Sequence, residues 1–181
     1  MKNPLEVLKA EHNFIKKMLG ILEKICTCLN NPTTLNNEDI SFLMNFFETF
    51  VEKCHSQKEE QFLFRELEKN GMPADSGPIA VMIYEHNCMK DLLAGMNKAI
   101  LMGNVAEFTS LAYQYIDLLR NHIYKEDNVL FNMAEEILPG PTKNALTDSF
   151  EKFEREVIGE GVHENFHRIG GNLLKKYGIL N

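Results

Sequence analysis

The decapeptide His55-Ser-Gln-Lys-Glu59-Glu60-Gln-Phe-Leu63-Phe64 returns later in the chain as His122-Ile-Tyr-Lys-Glu126-Asp127-Asn-Val-Leu130-Phe131. Both copies read H-x-x-x-E-[E/D]-x-x-L-F. On an α-helix, residues four apart share one face and lie about 6 Å apart along the axis, so each copy presents an imidazole and a carboxylate side by side. That arrangement is a two-point metal clamp, and the chain carries it twice. Two further histidines come with an acidic neighbour, in Glu11-His12 and Tyr84-Glu85-His86. The order H, H-x-x-x-E, H, H-x-x-x-E points to a two-metal site among helices.

The apolar periodicity predicts four long helices. In the first, about Leu5 to Leu29, an inward stripe of Leu5, Leu8, His12, Ile15, Leu19, Leu22, Cys26 and Leu29 alternates steps of three and four. Asn30-Asn31-Pro32 is read as its stop. The second runs from about Asn37 to Lys69, through Ile40, Phe47, Val51, His55, Glu59 and Phe62, and stops at Asn70-Gly71. The third opens at Ser76-Gly77-Pro78 and carries Ile79, Met82, His86, Met89, Leu93, Met96 and Ile100 inward, up to Gly103-Asn104. The fourth reaches about Ile137, with Leu111, Tyr115, Leu118, His122, Glu126, Leu130 and Met133 inward. Pro139-Gly140-Pro141 closes this unit, and two shorter amphipathic helices follow, around 144–157 and 162–177, split by Gly159-Glu-Gly161.

The fold expected is all-α: an up-down-up-down four-helix bundle over 1–138 holding the metal site, with an extension of one or two helices over 139–181 packed against it. Register supports it. From His12 to Leu29 is 17 residues, from Glu38 to His55 is 17, from His86 to Met102 is 16, and from Val105 to His122 is 17. Antiparallel packing then brings all four histidines and both glutamates to one level of the core. Such a layer is costly without cations. Each glutamate can bridge two ions about 3.5–4 Å apart while histidines cap each ion from outside. Nitrogen and carboxylate donors suit iron, manganese or zinc, and open positions favour iron with O2, NO or peroxide as the small ligand.

The net charge of −7 argues against nucleic acid and anionic membrane surfaces as partners. No apolar run approaches the ~20 residues of a membrane span, and the N-terminus lacks a signal-peptide core. The four cysteines, Cys26, Cys28, Cys54 and Cys88, form no C-x-x-C pair and read as reduced, mostly buried thiols of a cytoplasmic protein.

With these residues in place, the chain resembles the hemerythrin-like (HHE cation-binding) family over about residues 5–137. The resemblance implies a four-helix bundle around a non-haem di-iron centre with an oxo, hydroxo or water bridge, and with manganese or zinc as substitutes. It implies His12, His55, Glu59, His86, His122 and Glu126 as ligands, with Glu59 and Glu126 bridging. Two departures from oxygen-carrying relatives stand out. Their helix-3 ligand is followed four residues on by a second histidine, where this chain has Lys90. Their last carboxylate follows its histidine by five residues, which keeps Asp127 open beside Glu126. Tyr84 and Tyr124 are candidates for an extra ligand or a neighbouring donor. Relatives without that histidine are associated with sensing of O2, iron or NO, with iron–sulfur cluster repair, or with peroxide handling. The expected function is binding of O2, NO or a related ligand for sensing, storage or iron handling, through a protein partner or homo-oligomer. The alternative is an enzyme acting on peroxide or repairing iron–sulfur clusters.

His163-Glu164-Asn165-Phe166-His167 also reads H-E-x-x-H, the zinc-hydrolase signature. The apolar stripe Val162, Phe166, Ile169, Leu173, Tyr177 runs between these histidines, so the bland reading is a helix packed on the bundle. The other readings are a role for His163 and His167 beside the metal site, and a zinc hydrolase with His163 and His167 as ligands and Glu164 as general base. Met82, Met89, Met96 and Met102 are expected to fill the core.

Overall fold

A computed structural model describes residues 3–29 and 37–179. The expected stop at Asn30-Asn31-Pro32 lies outside them. Six helices occur among the described residues, and no strands. They are α1 (Pro4–Cys28), α2 (38–69), α3 (Gly77–Leu101), α4 (105–137), α5 (Gly140–Phe153, continued by a π-helical segment Glu154–Gly159) and α6 (Val162–Lys176). None is long and apolar enough to cross a membrane.

Asparagine starts three of the long helices. The side chains of Asn3, Asn37 and Asn104 accept hydrogen bonds from the backbone N–H of Leu5, Asp39 and Glu107, satisfying donors that have no partner inside the helix. Two ends use left-handed glycine. At Gly71 (φ 99°) the N–H of Met72 donates to the Leu67 carbonyl, and at Gly103 (φ 63°) that of Asn104 donates to Ala99. A residue with a side chain is strained there.

α2 and α4 are not uniform. π-helical turns cover Phe46–His55, Glu59–Leu63 and Glu126–Leu130, so each repeated decapeptide widens by one turn starting at its glutamate. Such turns collect at functional sites because they re-aim side chains. They also shift the buried stripe: beyond Glu126 it passes through Leu130, Phe131 and Ala134, leaving Met133 only partly buried.

α3 packs along α4, and α1 packs against α2 and α4. α5 and α6 lie against α1, and so α1 is buried on two faces: the expected stripe, and a second one of Phe14, Met18, Ile21 and Ile25. α4 ends at Ile137 just before Pro139-Gly140-Pro141, and α5 begins at Gly140 rather than around 144, because proline is tolerated in a first helical turn. Met82, Met89 and Met96 are core residues, whereas Met102 is 69% exposed. Cys26 and Cys54 are buried, Cys88 is half-buried and Cys28 is exposed.

The α6 contact is close enough to need a glycine. A Cβ on Gly170 would meet Phe14 Cζ at 2.6 Å and Met18 Sδ at 3.2 Å. The Phe14 ring cannot yield, being held by Phe46, Phe50 and His167 at centroid distances of 5.3, 5.6 and 4.1 Å. Gly170→Ala is expected to cost about 1–3 kcal/mol, the usual penalty of overpacking, measured as a fall in the urea-denaturation free energy.

Candidate metal centre

The apolar interior is divided. One cluster runs from Phe14 and Ile15 through Phe47, Met89 and Tyr115 to Ile123; the other gathers Leu5, Leu8, Leu63, Phe64, Met82, Leu130, Phe131 and Phe150. Between them lies a polar layer of His12, His55, Glu59, His86, His122 and Glu126, each at most 2% exposed. The phase of α1–α4 delivers these six side chains to one level.

The Nε2 atoms face each other in pairs, His12 to His55 at 2.9 Å and His86 to His122 at 3.1 Å. The carboxylates span the pairs. Glu59 Oε1 is 3.3 Å from His55 Nε2, and its Oε2 is 3.4 Å from His86 Nε2. Glu126 Oε1 is 3.3 Å from His122 Nε2, and its Oε2 is 3.2 Å from His12 Nε2. Two four-donor groups result, each with donor atoms within 4.8 Å of one another: His12, His55, Glu59, Glu126 and Glu59, His86, His122, Glu126. The glutamates belong to both.

Every outer imidazole nitrogen is held by a carboxylate. Nδ1 of His12 donates to Asp127 at 2.7 Å, that of His55 to Glu11 at 2.7 Å, that of His86 to Glu60 at 2.7 Å and that of His122 to Glu85 at 3.0 Å. This fixes the tautomer and turns each Nε2 lone pair inward, as in metal-bound histidine. Each carboxylate in turn meets a lysine: Asp127 with Lys16 (3.2 Å), Glu11 with Lys58, Glu60 with Lys90 (3.8 Å) and Glu85 with Lys125. Lys58 is fully buried and also reaches Glu154 at 2.6 Å.

Lone pairs facing at 2.9 and 3.1 Å repel unless positive charge stands between them. The carboxylate oxygens of Glu59 and Glu126 are buried without any hydrogen-bond donor. Without metal, protons must supply the charge. Burial opposes the imidazolium at His12, but Asp127 and Glu126 lift its pKa to about 9. The same opposition is overcome at His86 by Glu59 and Glu60, to about 9, and at His122 by Glu126, to about 10. At Glu126 burial disfavours the anion, yet His122 and His12 hold its pKa well below the usual range. The donor set therefore suits cations.

The other candidates fall elsewhere. Asp127 holds the outer face of His12 and belongs to neither four-donor group. Tyr84 and Tyr124 are 69% and 66% exposed and point away from the layer, because each sits off the inward stripe of its helix. His163 Nε2 lies 3.6 Å from Glu11 Oε1, so it reaches the outer carboxylate of His55. His163 and His167 stand 4.8 Å apart between ring centroids; His167 stacks on Phe14. Among the described residues that pair joins no group with a third metal donor on its own helix; His163 falls instead with Glu11 and Glu154, around the Lys58 ammonium.

Glu11 and Glu85 stand out in the sequence as acidic neighbours of their histidines and Asp127 as a candidate beside Glu126, but the role of Glu60 and of the lysines was missed, although a signal was present. Glu11-His12-Asn-Phe-Ile-Lys16 and Glu85-His86-Asn-Cys-Met-Lys90 are a second repeat, and Lys58 and Lys125 occupy the same place in the first. Lys90, at the position of the absent histidine, is thus the lysine that anchors Glu60.

The hemerythrin HHE cation-binding domain matches residues 3–134, and the chain belongs to this family. Its relatives include uncharacterized proteins of Mycobacterium tuberculosis (strain H37Rv) and Mycobacterium bovis, each 25% identical over 97% of this chain and 71% of the relative. No solved structure matches.

Proposed function

We propose that the chain is a dinuclear non-haem iron protein that binds O2, NO or a related small ligand for sensing, storage or iron handling. In this reading α1–α4 run up-down-up-down. His12 and His55 hold one ion, His86 and His122 the other, and Glu59 and Glu126 bridge them. The single observation that carries it is the pair of four-donor groups sharing both glutamates.

Charge supports two ions. The four outer carboxylates and their four lysines cancel, and four neutral imidazoles add nothing. Two glutamates set against two divalent cations leave net positive charge, which favours an anionic bridge and an electron-rich ligand. Only nitrogen and oxygen donors meet in the layer, the set that suits iron. Iron when bound supplies reversible redox chemistry and open coordination positions. The protein's part is to hold the imidazoles by their outer carboxylates, exclude bulk water with two apolar clusters, and keep the ions close. The buried thiols Cys26 and Cys54 suit the reducing cytoplasm.

The test is optical. Protein loaded with ferrous iron under anaerobic conditions is exposed separately to NO and to O2. New visible bands with either gas are expected; an unchanged spectrum with both refutes ligand binding.

A further inference from the structure

Of the four outer carboxylates, Glu11 meets more than a histidine and a lysine. Its Oε2 holds His55, while its Oε1 meets Lys58 and lies 3.6 Å from His163 Nε2. Glu154 Oε1 closes on the same ammonium at 2.6 Å. Donor atoms of Glu11, Glu154 and His163 all fall within 4.8 Å of one another. Among the described residues, none of the other three outer carboxylates joins a donor group of this kind.

The C-terminal helices supply the two added donors. His163 stands in the first turn of α6, and Glu154 opens the π-helical segment that continues α5. α6 is held in place there: Phe166 is buried, His167 stacks on Phe14, and His163 stacks on Phe50 with centroids 4.9 Å apart. The His163 side chain is still 22% exposed, and its Nε2 has no hydrogen-bond partner.

This group sits in the wall of a cavity of about 700 Å³ between α1, α5 and α6. Glu6, Glu151, Glu160 and Glu164 also line the cavity, opposed by Arg155. A cleft walled by one sign of charge raises the local concentration of ions of the other sign. Two carboxylates and an imidazole then favour divalent transition metals among those cations. The Lys58 ammonium lies between Glu11 and Glu154, so the place already stabilises positive charge. An entering ion competes with that ammonium, which suits brief occupancy rather than permanent holding. On the inner side of Glu11 stands His55, a donor of the first four-donor group, so two side chains lead from the cavity to the layer.

We propose that Glu11, Glu154 and His163 form a loading site for divalent cations, through which ferrous iron passes from the acidic cavity to the buried layer. The inference rests on the two-metal reading and adds to it the path of the metal. The H-E-x-x-H segment serves this path: His163 is a metal donor and Glu164 adds to the negative wall.

The experiment uses the full metal-free chain as wild type, His163→Ala and Glu154→Gln. Glu68→Gln, exposed on α2 away from the cavity, controls for the charge change. Ferrous iron is added without oxygen, uptake is stopped at intervals with a chelator, and retained iron is counted after desalting. The denaturation midpoint is measured on the same proteins. The wild-type uptake rate should level off as ferrous iron rises, because the loading site fills. His163→Ala and Glu154→Gln are expected to need at least ~10-fold more ferrous iron for half-maximal rate, the lower end for loss of electrostatic focusing. Both should still reach the wild-type final iron content, and Glu68→Gln should load as wild type does. A merely structural role would move the midpoint and leave the half-saturating concentration where it was.

Half-saturating concentrations equal to wild type in both variants overturn the proposal. If His163→Ala does not fold, Glu154→Gln, which keeps the size of its side chain, decides alone. Wild type that retains no iron is a different result, seen before any variant is compared. It removes the two-metal reading itself, and the proposal with it.

Discussion

Glu59→Ala is expected to take the metal content from about two ions per chain, as a two-metal site requires, to well under one. Both carboxylate oxygens of Glu59 reach into the layer, one toward each histidine pair, so its loss removes a donor from both four-donor groups at once. Glu126→Ala should do the same. The outer carboxylates should matter less: Glu60→Gln and Glu85→Gln leave all six inner donors and loosen only the aim of His86 and His122. Loss of such partners typically costs about 10–100-fold in metal affinity. Titration of each variant with ferrous iron separates the two grades. Equal affinity in Glu59→Ala and wild type would show that Glu59 does not bridge.

Metal and protons should compete for the layer, and their effects on stability should part at high pH. In the metal-free chain, His12 and His86 have pKa values of about 9 and His122 about 10, against an ordinary 6.5. A histidine with a raised folded-state pKa stabilises the fold fully below 6.5, and that stability is lost as pH rises through the folded value. Glu126 works in the opposite sense: held below the ordinary 4.5, it contributes above that pH and loses its contribution on acidification. Metal-free protein should therefore be most stable between about pH 4.5 and 6.5 and weaken toward about pH 10. Deprotonated imidazoles are the form that binds metal, so the loaded protein should not weaken over that alkaline range. Where free metal exceeds its Kd by about 100-fold, the added stability is about 2.7 kcal/mol. Urea-denaturation free energies of chelated and loaded protein, at about pH 6 and about pH 10, measure both arms. A metal-free chain as stable at high pH as at pH 6 would contradict the ion-paired layer.

The helices were legible because their signals are local. Asn3, Asn37 and Asn104 cap where apolar periodicity begins, and Gly71 and Gly103 end what precedes them. The meeting of six His and Glu side chains in one buried layer was legible because they sit on apolar stripes at matched register and because the clamp is duplicated. The π turns after Glu59 and Glu126 were not: no residue in either decapeptide forbids an ordinary helix, and the widening is a property of the packed layer. Lys58 was hidden for a related reason. A lysine between two polar neighbours reads as surface, and only the docking of α5 and α6 beside Glu11 and Glu154 buries it. Tyr84 and Tyr124 drew notice as ligand types near the right level, but side-chain direction, not level, decides, and both point outward.

The most direct test of the central claim is a count of metal. The purified chain is loaded with ferrous iron in the absence of oxygen, desalted and analysed for iron and protein together. A shared pair of glutamates between two histidine pairs predicts about two ions per chain. A ratio near zero, with wild-type folding intact, would contradict a metal centre in this layer.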